Sequence, residues 1–317
     1  MTNLVCILSV LATIVSYATA RNASTTFLNQ WPMIMAHDAA TTYLTPGIIN
    51  NWAKTQPSGG MFGLLACGAR AFDWRPTLAA DGTVYMHHSA VVIKVPMAQA
   101  MDDLVRWANQ NNSTSPHDLI VLSVVDCTLE NKASGNCVQA VEQLLAARNI
   151  TVVSRSDLQT MTAQQATQRA KHVGGGAVLA CVNCVVDHYN PAVTCAGFGG
   201  GTAEESLIYT CYNDSSTKAY PLNRMWEYIH NVSTVGPPLD GSFYTTQTLW
   251  QESASDVTIG ELHGSDLLKD ESKSQLNLLL KDRITSGLWN VTRVGLVEIN
   301  NVCDGGVALK KVLDDLP

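Results

Sequence analysis

Leu119-Ile120-Val121-Leu122-Ser123-Val124-Val125 is a nearly continuous apolar run. Runs of this kind form strands buried on both faces, the mark of a parallel sheet covered by helices. On either side of it the chain alternates short apolar runs with amphipathic stretches. Strands are predicted at residues 31–37, 69–75, 83–88, 177–182, 206–212, 243–249 and 294–299, which with 119–125 makes eight. Helices are predicted at 97–109, 138–148, 159–172, 222–230 and 272–284. In the first, Met97, Met101, Leu104, Val105 and Ala108 fall on one face. Eight strands with helices between most of them point to a single α/β domain, a (β/α)8-type barrel. Its regularity is open to question in the middle third, where residues 185–201 read as a long loop rich in Cys and Gly. A doubly wound open sheet is the competing arrangement. No G-x-G-x-x-G follows the first strand, and neither Gly174–Gly176 nor the glycines at 199–201 precede Lys-Ser/Thr, so dinucleotide and P-loop readings lack support.

The chain has 317 residues and 46% hydrophobic side chains, enough for a sizeable core. With 20 Lys+Arg against 27 Asp+Glu its formal charge is −7. A field of that sign repels phosphate backbones, so no nucleic-acid partner is expected. Residues 1–20 carry no charged side chain, run apolar from Leu4 to Val15, and end Ala18-Thr19-Ala20. This is the pattern of a cleaved secretory signal, leaving a mature chain at 21–317. An uncleaved anchor is the alternative, but the run is short for a span. No later stretch is long and apolar enough to cross a bilayer, so no transmembrane segment is expected after signal cleavage. Seven Asn-x-Ser/Thr sequons, starting at Asn22, Asn111, Asn112, Asn149, Asn213, Asn231 and Asn290, agree with export. So do the eight cysteines left once Cys6 departs: Cys67, Cys127, Cys137, Cys181, Cys184, Cys195, Cys211 and Cys303. Cys127 and Cys137 flank a short polar segment and are the easiest pair to join. Cys181-x-x-Cys184 also has the spacing of a zinc or redox pair, but no second such motif accompanies it.

In a parallel barrel, chemistry sits where strands end. The predicted strands end in His37-Asp38, Asp73-Trp74-Arg75, His87-His88-Ser89, Asp126-Cys127 and Glu298-Ile299-Asn300. Two imidazoles, a guanidinium and several carboxylates thus collect at one rim. Period-two alternation puts Asp73 with Arg75, Met86 with His88, and Glu298 with Asn300. Histidine can serve as base or acid near neutral pH. Arginine can fork onto two phosphate oxygens. That set suits phosphodiester cleavage without a metal.

Three blocks carry a resemblance: Trp31-Pro32-Met33-Ile34-Met35-Ala36-His37-Asp38-Ala39, then Gly68-Ala69-Arg70-Ala71-Phe72-Asp73-Trp74-Arg75, then Tyr85-Met86-His87-His88-Ser89. In order and spacing they resemble the signature blocks of phosphatidylinositol-specific phospholipase C, X-domain type. The close match spans about residues 31–95. The resemblance implies His37 as general base on the inositol 2-hydroxyl, Arg75 as phosphate ligand and His88 as general acid. Asp38 would be the carboxylate paired with that acid and with the arginine. It implies a barrel acting on an inositol phospholipid at a membrane surface, releasing diacylglycerol and a cyclic inositol phosphate. Calcium-dependent members carry Glu-x-Asp where this chain has Asp73-Trp74-Arg75. A guanidinium there would repel Ca²⁺, so the match is to the metal-independent bacterial type, with no metal and no cofactor. Ser89 stands where the family usually has Gly. Asn300 stands where bacterial members place the Asp that orients the base, and Glu298 shares its face. Asp73, Asp126, Tyr212 and Trp250 are substrate-binding candidates at the rim.

The leading expectation is therefore a secreted phosphodiesterase, extracellular and glycosylated. The alternatives are the same machinery acting on a glycosylated inositol lipid or another phosphodiester, and a secreted head-group binder that has lost turnover.

Overall fold

The computed structural model describes residues 21–186, 243–249, 254–262, 264–289 and 295–316. The predicted leader, the strand at 206–212, the helix at 222–230, Cys195, Cys211, Tyr212 and Trp250 lie outside these residues. The strands in chain order are β1 (Met33–Ala36), β2 (Ala71–Trp74), β3 (Pro76–Leu78), β4 (Val84–His88), β5 (Val91–Ile93) and β6 (Ile120–Val124). They continue with β7 (Thr128–Leu129), β8 (Thr151–Val153), β9 (Val178–Val182), β10 (Val185–Val186), β11 (Phe243–Gln247) and β12 (Leu296–Ile299). Eight of them form one parallel sheet in the order β10-β11-β12-β1-β2-β6-β9-β8.

Two residues, Asn183 and Cys184, carry the chain from the β6–β9 edge of this sheet to β10, which pairs with β11 at the other end. Asn183 takes the left-handed conformation (φ 55°) at that bend, and a Cys181–Cys184 disulfide brackets it. The architecture is an imperfect (β/α) barrel, with β8 added beyond β9.

Strand alternation sorts the side chains into two layers. Ile34, Ala36, Phe72, Trp74, Ile120, Leu122, Val178, Val297 and Ile299 share one core with the helices Met97–Asn111, Cys137–Ala146, Leu276–Thr285 and Gly306–Asp314. Met33, Met35, Ala71, Val121, Leu179, Phe243 and Leu296 share the other, with Leu28 and Trp31. Two residues further along the strands of this second set come His37, Asp73, Ser123 and Glu298. The parity that packs one face thus places polar groups at its end.

The third expected barrel strand, 83–88, is not in the barrel. It is β4, antiparallel to β3 with Thr77 opposite Tyr85, in a separate sheet of order β5-β4-β3-β7. The reason is loop length. Residues 79–83 are a tight turn, with Gly82 at φ 83° and its N–H donating to Ala79 O. A parallel crossover needs a dozen or more residues. β10, absent from the sequence reading, pairs with β11 instead, and β8, also absent from it, extends the sheet beyond β9.

Two predicted helices are also broken. Thr162 caps a new helix (Ala163–Arg169) with a reciprocal Gln165 bond, dividing 159–172. Gln275, left-handed at φ 53°, divides 272–284 into Leu267–Ser274 and Leu276–Thr285. Disulfides join Cys127 to Cys137, as the spacing suggested, and Cys67 to Cys303 across a separation of 236 residues. Bridges of native loops typically stabilise by about 2–5 kcal/mol.

Candidate active site

Asp38 is the centre of the site. It follows β1 in the left-handed conformation (φ 42°), which a short polar residue tolerates better than most. This turn brings its carboxylate back over the strand ends, where its side chain is 1% exposed. Its Oδ2 lies 3.2 Å from His37 Nε2 and 3.3 Å from His88 Nε2, and its Oδ1 lies 3.0 Å from Arg75 Nε. One carboxylate therefore touches both imidazoles and the guanidinium. The two rings stand with centroids 6.5 Å apart, nearly edge to face.

Arg75 leaves β2 on the Asp73 side, as alternation requires. Its Nη2 and Nε donate to Asp73 Oδ2 at 2.9 and 3.1 Å, and Nη2 reaches His37 Nε2 at 3.4 Å. Asp73 Oδ2 also accepts the Asp38 backbone N–H at 3.2 Å. Burial works against the Arg75 charge, but Asp73, Asp38 and Glu298 outweigh it and hold the guanidinium above its ordinary pKa. It stays charged and keeps a quarter of its side chain open to solvent.

His37 is buried and locked. Its Nδ1 lies 2.9 Å from Asn300 Oδ1. Asn300 Nδ2 in turn donates to Glu271 Oε1 at 2.8 Å. The amide thus presents its oxygen to His37, so His37 Nδ1 carries the hydrogen and Nε2 carries the lone pair. Burial pushes the His37 pKa down, and Asp38 only partly offsets it, so the ring is held neutral. Burial alone would raise Asp38, but His37, Arg75 and His88 overrule it and bring its pKa below the usual carboxylate value. His88 comes from the outer sheet. Its Nδ1 donates to Ala53 O at 2.8 Å, which leaves Nε2 directed at Asp38.

Of the expected residues, His37, Asp38, Asp73, Arg75, His88 and Asn300 come together. Asp126 does not join them. It pairs with the other histidine: His87 Nε2 is 3.1 Å from Asp126 O and 3.8 Å from its carboxylate, which is largely exposed. Tyr212 and Trp250 lie outside the described residues. The sequence reading missed Gln56, whose buried amide donates to His37 O and Ile299 O and accepts from Val302 N, stitching β1 to β12. It also missed Thr55, whose hydroxyl donates to His37 O at 2.8 Å, and Glu271. Nothing in the local pattern marks these three, because each acts through backbone or amide groups remote in sequence.

His37, Asp73 and Glu298 place possible metal-ligating atoms within 4.8 Å of one another, all buried. Arg75 Nη2 already reaches two of the three residues, so a guanidinium supplies the positive charge at this cluster. A buried acceptor set, a fixed cation, one neutral imidazole and a second imidazole at the rim can bind an anionic ester and move a proton on each side of it.

No family model matches this sequence, and no curated protein matches it. Solved structures do. A mutant of the phosphatidylinositol-specific phospholipase C from Staphylococcus aureus is 15% identical over 93% of this chain and 95% of its own, with a TM-score of 0.58. Another structure of the S. aureus enzyme gives 0.60 at 14% identity, over 93% of this chain and 95% of that one. The phosphatidylinositol-specific phospholipase C from Listeria monocytogenes gives 0.55 at 11%, over 93% and 96%. At these identities the likeness establishes that this chain has the barrel fold of those proteins.

Proposed function

We propose that this chain is a secreted phosphodiesterase that cleaves phosphatidylinositol-type lipids by metal-independent general acid–base catalysis. The observation that carries the reading is Asp38 touching His37, His88 and Arg75 at once. In the reaction, His37 Nε2 takes the proton of the inositol 2-hydroxyl and the freed oxygen attacks phosphorus. The P–O bond to glycerol breaks. His88 Nε2–H delivers its proton to the departing oxygen, giving diacylglycerol and a cyclic inositol phosphate. His88 Nδ1–H donates to Ala53 O, and Asp38 Oδ2 lies 3.3 Å from Nε2, so the carboxylate charge supports the protonated acid. Arg75 stabilises charge on the non-bridging phosphate oxygens.

A membrane-surface substrate is supported by Ile48 and Ile49, 68% and 71% exposed on the short helix Ile48–Ala53. That helix also supplies the Ala53 carbonyl beside His88. Among the described residues no helix is long and apolar enough to cross a membrane. Export is supported by the apolar leader, the three disulfides and the exposed sequon residues Asn22, Asn111, Asn112 and Asn149. The deciding experiment incubates purified protein with labelled phosphatidylinositol in EDTA. Cyclic inositol phosphate is the expected product; none on any inositol lipid, with head-group binding retained, leaves the binder reading, which Asn300 in place of a carboxylate favours.

A further inference from the structure

Glu271 lies in the helix Leu267–Ser274, 3% exposed, and faces Asn300, which is 1% exposed. An amide beside an imidazole is ambiguous. Its two ends differ in role, one accepting and one donating, and which end faces His37 decides which ring nitrogen carries the hydrogen. If the NH2 end faced Nδ1, that nitrogen would have to accept, and Nε2 would carry the hydrogen and could not act as base. The Asn300 backbone does not settle the choice, since a rotation about the last side-chain bond exchanges the two ends.

We propose that Glu271 is the positioning residue of the base: its carboxylate fixes the Asn300 amide so that His37 presents a bare Nε2. The chain of bonds is His37 Nδ1–H to Asn300 Oδ1 at 2.9 Å, then Asn300 Nδ2–H to Glu271 Oε1 at 2.8 Å. A carboxylate oxygen only accepts, so it takes the NH2 end and leaves the carbonyl end to His37. Asn277 Nδ2 donates to the backbone carbonyl of Asn300 at 3.1 Å and holds that residue in place. Other charges lie close to His37, namely Asp38, Asp73, Arg75 and Glu298, of which Asp38 and Arg75 stand at its Nε2. Glu271 is the carboxylate behind Nδ1, one amide removed. Its negative charge also supports the imidazolium formed when His37 takes the proton.

The inference rests on reading His37 as the base, so the test has an arm that needs no turnover. Nitrogen NMR of the His37 ring should show the Nδ1–H form in wild type and a mixture or the Nε2–H form in Glu271→Leu. Kinetics form the second arm. Glu271→Leu should lower kcat by roughly ten- to a hundredfold with little change in KM, the scale seen when outer partners of functional imidazoles are removed. Glu271→Gln, which can still accept from the amide, should lose less and shift the acid limb of kcat/KM downward. Asn300→Asp alone sets two carboxylates against each other and should lose activity. Asn300→Asp with Glu271→Gln should recover it, since the new carboxylate accepts from both His37 and the introduced amide. An unchanged His37 tautomer in Glu271→Leu overturns the proposal, as does a double variant no better than Asn300→Asp. Should Glu271→Leu fail to fold, the rescue pair decides alone. Should wild type cleave no inositol lipid, the proposed function fails while the tautomer arm still decides the role of Glu271.

Discussion

The two histidines that meet on Asp38 come from differently built regions. His37 ends a barrel strand. Its ring is 6% exposed, its Nδ1 is held by a side-chain relay, and its carbonyl is clamped by Thr55 and Gln56. His88 ends a strand of the small outer sheet, with 23% of its side chain exposed and one backbone carbonyl as anchor. The contrast fits a division of labour. A base must be desolvated, neutral and aimed, which a barrel interior provides. An acid must meet a leaving group that differs in position before and after bond cleavage, which the more open end of a strand in the smaller sheet provides.

The largest effects should come from removing either ring. His37→Ala and His88→Ala should each cost on the order of 10²–10⁴-fold in cleavage of phosphatidylinositol, the usual worth of a general acid or base. A p-nitrophenol leaving group separates them, because it departs without protonation. On that substrate His88→Ala should regain part of its rate and His37→Ala should not. Equal recovery by both variants would mean that the division of labour is wrong.

The same contrast predicts a pH profile. Burial depresses the His37 pKa and Asp38 partly restores it. The base therefore stays unprotonated below the ordinary imidazole value of about 6.5, and the acid limb of kcat/KM should fall below that pH. The sign for stability agrees: the unfolded chain protonates this ring near 6.5 while the folded one does not. Its contribution is thus present above about 6.5 and lost as pH falls. Asp38→Asn removes the group that raises His37, so the acid limb should move lower still while kcat drops. An acid limb above 6.5 in wild type would contradict the burial argument.

Arg75 bridges the two regions, so its replacement tests both. Arg75→Lys keeps a positive charge but loses the fork, and should cost about 10²-fold, comparable to losing one transition-state donor. EDTA should leave wild-type activity intact. Loss in EDTA with recovery in Ca²⁺ would show that a cation, and not Arg75, serves the phosphate.

Much of this arrangement is legible in the sequence. The apolar parity of residues 31–37, 69–75 and 294–299 gives strands and their polar ends, and the three blocks around His37, Arg75 and His88 give the groups that meet on Asp38. Strand 83–88 was legible as a strand but not as a neighbour. Its membership depends on whether five turn residues form a hairpin or part of a crossover, and Gly82 with Asp81 decided for the hairpin. β8 and β10 are three and two residues long, too short for periodicity to register. Glu271 and Gln56 were invisible for another reason. Their roles come from partners 29 and 243 residues away, which no local pattern encodes.

A smaller effect belongs to the helix that anchors His88. Ile48→Asn with Ile49→Asn removes two exposed apolar side chains one turn from Ala53. Even partial burial of one Ile in a lipid surface is worth over 1 kcal/mol, so activity on vesicles should fall about tenfold. Activity on a soluble, short-chain substrate should stay near wild type. Equal losses on both would place the effect on the Ala53–His88 contact instead of on the membrane.

The smallest expected effect is at His87, and it tests the register on which the comparison depends. Neighbouring side chains on a strand point to opposite faces. His88 faces Asp38, so His87 faces away, where its Nδ1 and Nε2 lie 3.1 Å from the carbonyls of Ser89 and Asp126. These contacts tie the end of β4 to the end of β6, a structural task. His87→Ala should lower stability by about 1 kcal/mol, the net worth of the one hydrogen bond that an uncharged ring can donate to these carbonyls. Turnover at saturating substrate should stay within about threefold of wild type, as for changes outside a reacting centre. Thermal melting and kcat measured on the same preparation check both numbers. A His87→Ala variant that melts normally but has lost a hundredfold in kcat, beside a mildly affected His88→Ala, would shift β4 by one residue and move the acid to the other histidine.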